Sequence, residues 1–322
     1  MALFQETEAL ASGFLPDEDG HAVFWETFGT PDRPAILLLH GGPGGGCSDR
    51  LPRLFDPDRW FIVTMDQRGC GRSTPHAGDT RAALEANTTA HLVSDIERLR
   101  EALSLDRWCV YGASWGVTLA QAYAHAHLDR VTGLILGSVT STSQFEIDNL
   151  YGGAGAYLPE AFDAFQAGAP EGTPGVGMAE AYYHRLMSDD PAVHHKAAAD
   201  WCRWEAAVLK VDPRAEPSDR FAEPRFALCF ARIVTHYFRH LAWLDPPLLQ
   251  RAGALRDVPS VLINSRLDLS CPLSTAWTLH KAWPRSKLMA MPGALHGTLY
   301  GPLATEIVAA GNAFADMFEG QR

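Results

Sequence analysis

The stretch Trp108-Cys109-Val110-Tyr111-Gly112-Ala113-Ser114-Trp115-Gly116-Val117-Thr118-Leu119-Ala120 decides the fold. Its first four residues are an apolar run suited to a strand, and a run rich in Ala and Leu, suited to a helix, follows Gly116. Between them lies Gly-x-Ser-x-Gly, in the strand, sharp turn and helix context that gives the pattern meaning. Glycine belongs at both ends because so tight a turn leaves no room for side chains beside the backbone, and its strain pushes the Ser114 hydroxyl outward. The helix that begins there aims backbone N–H groups at the place where a negative oxygen would form. Ser114 is the candidate nucleophile; the plainer reading is a turn with no chemistry.

Upstream, Ala35 to Leu39 is a continuous apolar run, as expected of a strand buried on both faces, and it ends in His40-Gly-Gly-Pro-Gly-Gly-Gly46. The spacing is not that of a dinucleotide loop, and no Lys-Ser or Lys-Thr follows to make a phosphate loop. A glycine-rich turn also presents N–H groups to an oxyanion, so Gly42 and Trp115 are the candidate donors. Trp60 to Met65 reads as the next buried strand, followed by Asp66-Gln-Arg-Gly-Cys-Gly-Arg-Ser73, in which Asp66 and Arg68 are expected to pair and pin the loop. A hairpin is expected over Phe14 to Gly29, turning at Asp17 to Gly20. Ala90 to Leu103 places Leu92, Ile96, Leu99 and Leu103 on one helical face.

Downstream, strand and helix alternate through Leu134 to Leu136, the pattern of a parallel sheet. The character then changes. Residues 1–139 read as the first part of an α/β core, 140–245 as an inserted, mostly helical cap, and 246–322 as the second part of the core. Val258 to Asn264 and Lys287 to Met291 resume the strands, with Asp268 just past the first and His296 just past the second. That is the chain order Ser, acid, His of a hydrolytic triad, so Ser114, Asp268 and His296 are the candidate catalytic residues. His236 and His240 are four apart, but without His-Glu-x-x-His they read as helix-surface residues, and no metal site is expected.

Composition narrows the classes. The chain has 322 residues, 47% hydrophobic and 20% charged, with a formal net charge of −11. An acidic surface without a basic stripe argues against nucleic acid as a partner. No apolar run approaches the roughly 20 residues of a membrane span, and the start, Met1-Ala-Leu-Phe-Gln-Glu-Thr-Glu8, does not read as a signal peptide. The six cysteines lack metal-type spacing and suit reduced thiols in a cytoplasm. The expected partner is a small-molecule or short-peptide substrate, with no cofactor.

Several segments together resemble the proline iminopeptidase family of α/β-hydrolases. They are His40-Gly-Gly-Pro-Gly44, Asp66 to Ser73, Gly112-Ala-Ser-Trp-Gly116, Asp268 followed by Cys271-Pro272, Ala276 to Pro284, and His296. The resemblance implies an α/β-hydrolase fold, a mostly parallel central sheet with an inserted helical cap. It also implies release of an N-terminal proline or other small residue, whose amino group two cap glutamates recognise. Glu205, in Trp201-Cys-Arg-Trp-Glu205, matches the first. Val234 stands where the family has the second, and Val139 where it has an aromatic residue lining the proline pocket. Asp148-Asn-Leu150 replaces an aromatic cluster, and Leu295 a glycine before the triad histidine. Two other readings stand beside this one: a hydrolase of neutral esters, lactones or amides, suited to a less polar pocket, and a non-catalytic binding protein on the same scaffold.

Overall fold

Strands and helices alternate through the computed structural model, which describes residues 3–209, 219–297 and 299–320. β1 (Ala11–Phe14) and β2 (Phe24–Gly29) form an antiparallel hairpin. Its second strand opens at Phe24 rather than at His21, because residues 18 and 21 make only an isolated bridge beside the turn. Then come β3 (Ala35–Leu39), β4 (Phe61–Met65), α1 (Thr89–Ala102), β5 (Trp108–Ala113), α2 (Trp115–Ala126) and β6 (Val131–Gly137). The next described elements are all helices: α3 (Gln144–Leu150), α4 (Pro159–Gly168), α5 (Val176–Leu186), α6 (Pro191–Leu209), α7 (Pro224–Phe238) and α8 (Leu248–Arg251). Residues 210–218, within the expected cap, lie outside the described residues. β7 (Ser260–Ser265), α9 (Leu273–Ala282), β8 (Ser286–Met291) and α10 (Gly301–Glu319) complete the chain.

The strands make one sheet in the order β1-β2-β4-β3-β5-β6-β7-β8. β2 pairs with β1 and β4 antiparallel; every pairing from β4 to β8 is parallel. Both faces of the middle strands are covered, which explains runs such as Ala35 to Leu39 without polar alternation. Ile36 and Leu38 pack with Tyr111, Ile135 and Ile263 against Ile307 and Val308 of α10. Leu37 and Leu39 face the other way, toward Val110, Leu134 and the Leu92, Ile96 and Leu99 stripe of α1. A parallel sheet places the loops after its strands at one edge, and the site is built there.

α7 lies across those loops. Ile233 packs against Gly44, where a Cβ would come within 3.0 Å of it. The Cys229 thiol donates to the Gly69 carbonyl at 3.3 Å, and Arg232 donates to the Ala77 carbonyl at 2.8 Å. The Tyr237 hydroxyl donates to Asn87 Oδ1 at 2.8 Å, and His236 Nε2 lies 3.0 Å from the Asn87 carbonyl. His236 is therefore a buried docking residue rather than a surface one, while His240 lies beyond the end of α7 and is exposed. Among the described residues, no helix is long and apolar enough to cross a membrane.

Candidate active site

Ser114 sits between the end of β5 and the start of α2 with φ 53° and ψ −124°, a conformation in which a side chain is strained. The flanking glycines carry that turn. A Cβ on Gly112 would strike the Gly116 carbonyl, and one on Gly116 would strike the Leu39 carbonyl oxygen. The Ser114 N–H donates to the Gly137 carbonyl at 3.0 Å and holds the turn to β6.

Asp268 and His296 come from the loops after β7 and β8 and meet. His296 Nδ1 lies 2.9 Å from Asp268 Oδ2 and 3.2 Å from Oδ1. Asp268 Oδ1 also accepts from the N–H groups of Ser270 and Cys271, at 3.0 and 2.8 Å, so the carboxylate is fixed before it orients the imidazole. Burial pulls the His296 pKa down, but the charges of Asp268 and Glu205 and the bond to Asp268 outweigh it and hold the group above its usual value. Ser114 and His296 border one cavity of about 290 Å³. Among the described residues no hydrogen bond joins them; Cys271 Sγ lies 4.0 Å from Ser114 Oγ. Nucleophile and base commonly stand looser than this bond until substrate binds.

Gly42 and Trp115 line the same cavity. The loop that carries Gly42 is closed on itself by the Gly45 N–H donating to the Gly41 carbonyl at 3.1 Å. It is anchored from below: Gln67 donates through its side chain to the His40 carbonyl at 3.0 Å and through its backbone to His40 Nε2 at 3.1 Å. Gln67 Oε1 in turn accepts from Trp115 Nε1 at 2.8 Å, so one side chain ties Trp115 to His40, at the root of the loop that carries Gly42. Burial lowers the His40 pKa, which suits an imidazole that accepts at Nε2.

Asp66 and Arg68 do not pair with each other. Asp66 accepts from the Arg72 guanidinium at 2.9 Å and from the Cys47 N–H at 2.7 Å, while Arg68 forms a two-pronged pair with buried Asp95 of α1, at 2.6 and 2.8 Å. The strand ends at Met65 and the chain turns at Arg68 and Gly69, which carries the two side chains to different partners.

Glu205, on α6, lines the cavity and is buried. Its Oε1 accepts from the Tyr151 hydroxyl at 2.5 Å. Burial raises its pKa from 4.5 to about 7, against the opposing pull of Tyr151 and of the His296 charge. Among the described residues no lysine or arginine pairs with it.

Val139 and Val234 are fully buried, but neither is among the residues that line the cavity. Val139 instead donates its N–H to Asn264 Oδ1 at 2.5 Å. The apolar wall comes from Leu150 and Tyr151 and from Phe230 and Phe238, which flank Val234 on α7. Tyr151, Phe230 and Phe238 are legible in the sequence only as helix-spaced aromatics, a signal that core packing also produces. A second carboxylate, Glu146, also borders the cavity, but Ser141, Ser143 and Thr275 already donate to it.

Asp268, Cys271 and His296 bring possible metal-ligand atoms within 4.8 Å of one another. Their chemistry suits a triad better than a metal. Nδ1 is engaged by the carboxylate, and burial pushes the Cys271 thiol well up, away from the thiolate a metal needs.

A profile for the alpha/beta hydrolase fold matches residues 34–301. A proline iminopeptidase of Arabidopsis thaliana is 41% identical over 311 residues, covering 96% of this chain and 80% of that protein. One from Xylella fastidiosa is 39% identical over 315 residues, 97% and 99% of the two chains. Among solved structures, a proline iminopeptidase of Mycobacterium smegmatis superposes with a TM-score of 0.62 at 21% identity, covering 95% of this chain and 98% of that one. An esterase from Exiguobacterium antarcticum reaches 0.64 at 16% identity, covering 98% and 100%. The last two likenesses speak for the fold alone. The near full-length identity to the first two, together with the sheet, the serine turn and the acid and histidine loops, shows that this chain is a hydrolase and belongs to the proline iminopeptidase family of α/β-hydrolases.

Proposed function

We propose that the protein is a serine hydrolase that releases an N-terminal proline or other small residue from peptides or aminoacyl amides. The observation that carries the reading is Glu205: a buried carboxylate that no lysine or arginine pairs with among the described residues, in the cavity that holds Ser114 and His296. Such a group is costly to bury charged unless a cation meets it, and a substrate ammonium would be that cation.

In this scheme His296 takes the proton from Ser114 as the oxygen attacks the carbonyl carbon, and Asp268 holds the imidazole in place and balances its charge. The N–H groups of Gly42 and Trp115 stabilise the oxyanion, an effect worth about 3 kcal/mol per donor. His296 passes its proton to the leaving amine as the carbon–nitrogen bond breaks, and water then repeats the steps on the acyl enzyme. Six cysteines, unpaired as far as the described residues go, support a cytoplasmic setting.

Ser114→Ala should abolish both turnover and labelling by a fluorophosphonate probe. A variant that still turned over prolyl amides at a wild-type rate would remove Ser114 from the mechanism. The apolar wall of Leu150, Phe230 and Phe238 favours a second reading, a neutral ester, lactone or amide as substrate. Turnover of N-acetylated or simple esters above that of prolyl anilides would decide for it.

A further inference from the structure

One aromatic side chain at the cavity has no part in that scheme. Tyr300 lies between His296 and α10, borders the same cavity as Ser114, and is 47% exposed. Its ring lies over Gly297, where a Cβ would come within 2.7 Å of Cζ and of the hydroxyl oxygen, so the ring's place depends on glycine there. Its hydroxyl donates to the His296 carbonyl at 3.4 Å.

The lining residues differ in exposure: Glu205 is only 7% exposed, whereas Tyr300, whose hydroxyl reaches the His296 carbonyl, is 47% exposed and stands where the cavity meets solvent beside His296. On the reading above, the substrate's amino group sits at Glu205 and its carbonyl carbon at Ser114. The leaving group must be within reach of His296, which gives it a proton, and must depart toward solvent. Both requirements direct it past Tyr300.

We propose that Tyr300 determines leaving-group specificity: its ring is a platform on which a flat or aromatic leaving group, or an aromatic second residue of a peptide, rests. The inference depends on the roles proposed for Ser114, His296 and Glu205. An aromatic face favours a planar neighbour over a small amine, because stacking and burial reward the area covered.

The test compares L-proline β-naphthylamide with L-prolinamide. The two share an acyl group, so the ratio of their kcat/KM values isolates the leaving-group side. Tyr300→Ala should lower that ratio about five- to tenfold, the worth of one aromatic contact, and Tyr300→Phe should keep it within about twofold. Fluorophosphonate titration counts the folded, competent sites in each variant. A ratio unchanged in a fully labelled Tyr300→Ala overturns the platform while leaving the triad standing. An equal loss on both substrates also overturns it, since that is the mark of a disturbed His296. Failure of the wild type itself to label at Ser114 takes down the underlying scheme, and the platform with it.

Discussion

At the residue scale, Glu205 and His296 make the site depend on pH in a direction their surroundings dictate. The folded protein keeps a proton on Glu205 up to about pH 7, whereas the unfolded chain loses it near 4.5. Folding stability therefore falls as pH climbs through that window. His296 adds to the trend: its raised pKa contributes stability that is complete below the usual histidine value and lost as pH rises through the folded one. Glu205→Gln should thus be more stable than wild type above pH 7, by on the order of 3 kcal/mol, and little different near pH 5. Thermal melts at the two pH values check this. The same variant should raise KM at least tenfold for amine-bearing substrates, roughly the worth of one charge-assisted bond. Unchanged KM would remove Glu205 from amine recognition. For wild type, kcat/KM on a prolyl amide should rise with pH as His296, held above its usual value, becomes a base and as Glu205 becomes an anion near 7. A neutral ester should follow His296 alone.

At the scale of elements, the strand, turn and helix around Ser114 is held by close backbone approach rather than by side-chain contacts. Gly116→Ala would drive a methyl group into the Leu39 carbonyl and force β3 and α2 apart. A loss of about 3 kcal/mol in urea unfolding is expected, with loss of activity because Ser114 and the Gly42 loop both move. A Gly116→Ala enzyme with wild-type stability would mean that the two elements are freer than they stand. α1 shows how far periodicity reaches. Leu92, Ile96 and Leu99 are buried as their spacing predicts, and Leu103 falls just past the helix, partly buried. The same helix carries Asp95, which Arg68 takes as its partner. Nothing in the spacing of Asp66 and Arg68 distinguished a mutual pair from two separate ones.

At the scale of the whole molecule, Asn87 is one of the points at which α7 is tied to the loops of the sheet. Its amide donates to the Arg68 and Ala83 carbonyls, and its oxygens meet Tyr237 and His236 of α7. Asn87→Ala would strand several buried polar groups at once and should cost about 2 to 3 kcal/mol. A melt within a degree of wild type would show that α7 is held elsewhere. The buried strands and the candidate triad were readable in the sequence because their signals are local: a buried strand has its own composition, and chain order places Ser, acid and His after particular strands. Local pattern could not reveal which helix side chains face the cavity. Val139 and Val234 occupy family positions yet point into packing, while Tyr151, Phe230 and Phe238 form the wall. The sequence by itself thus determined the hydrolase scaffold and its candidate chemical groups. Only the tertiary structure decided the pocket, because a cavity is bounded by residues distant along the chain, whose facing depends on how helices dock and not on the spacing within any one of them.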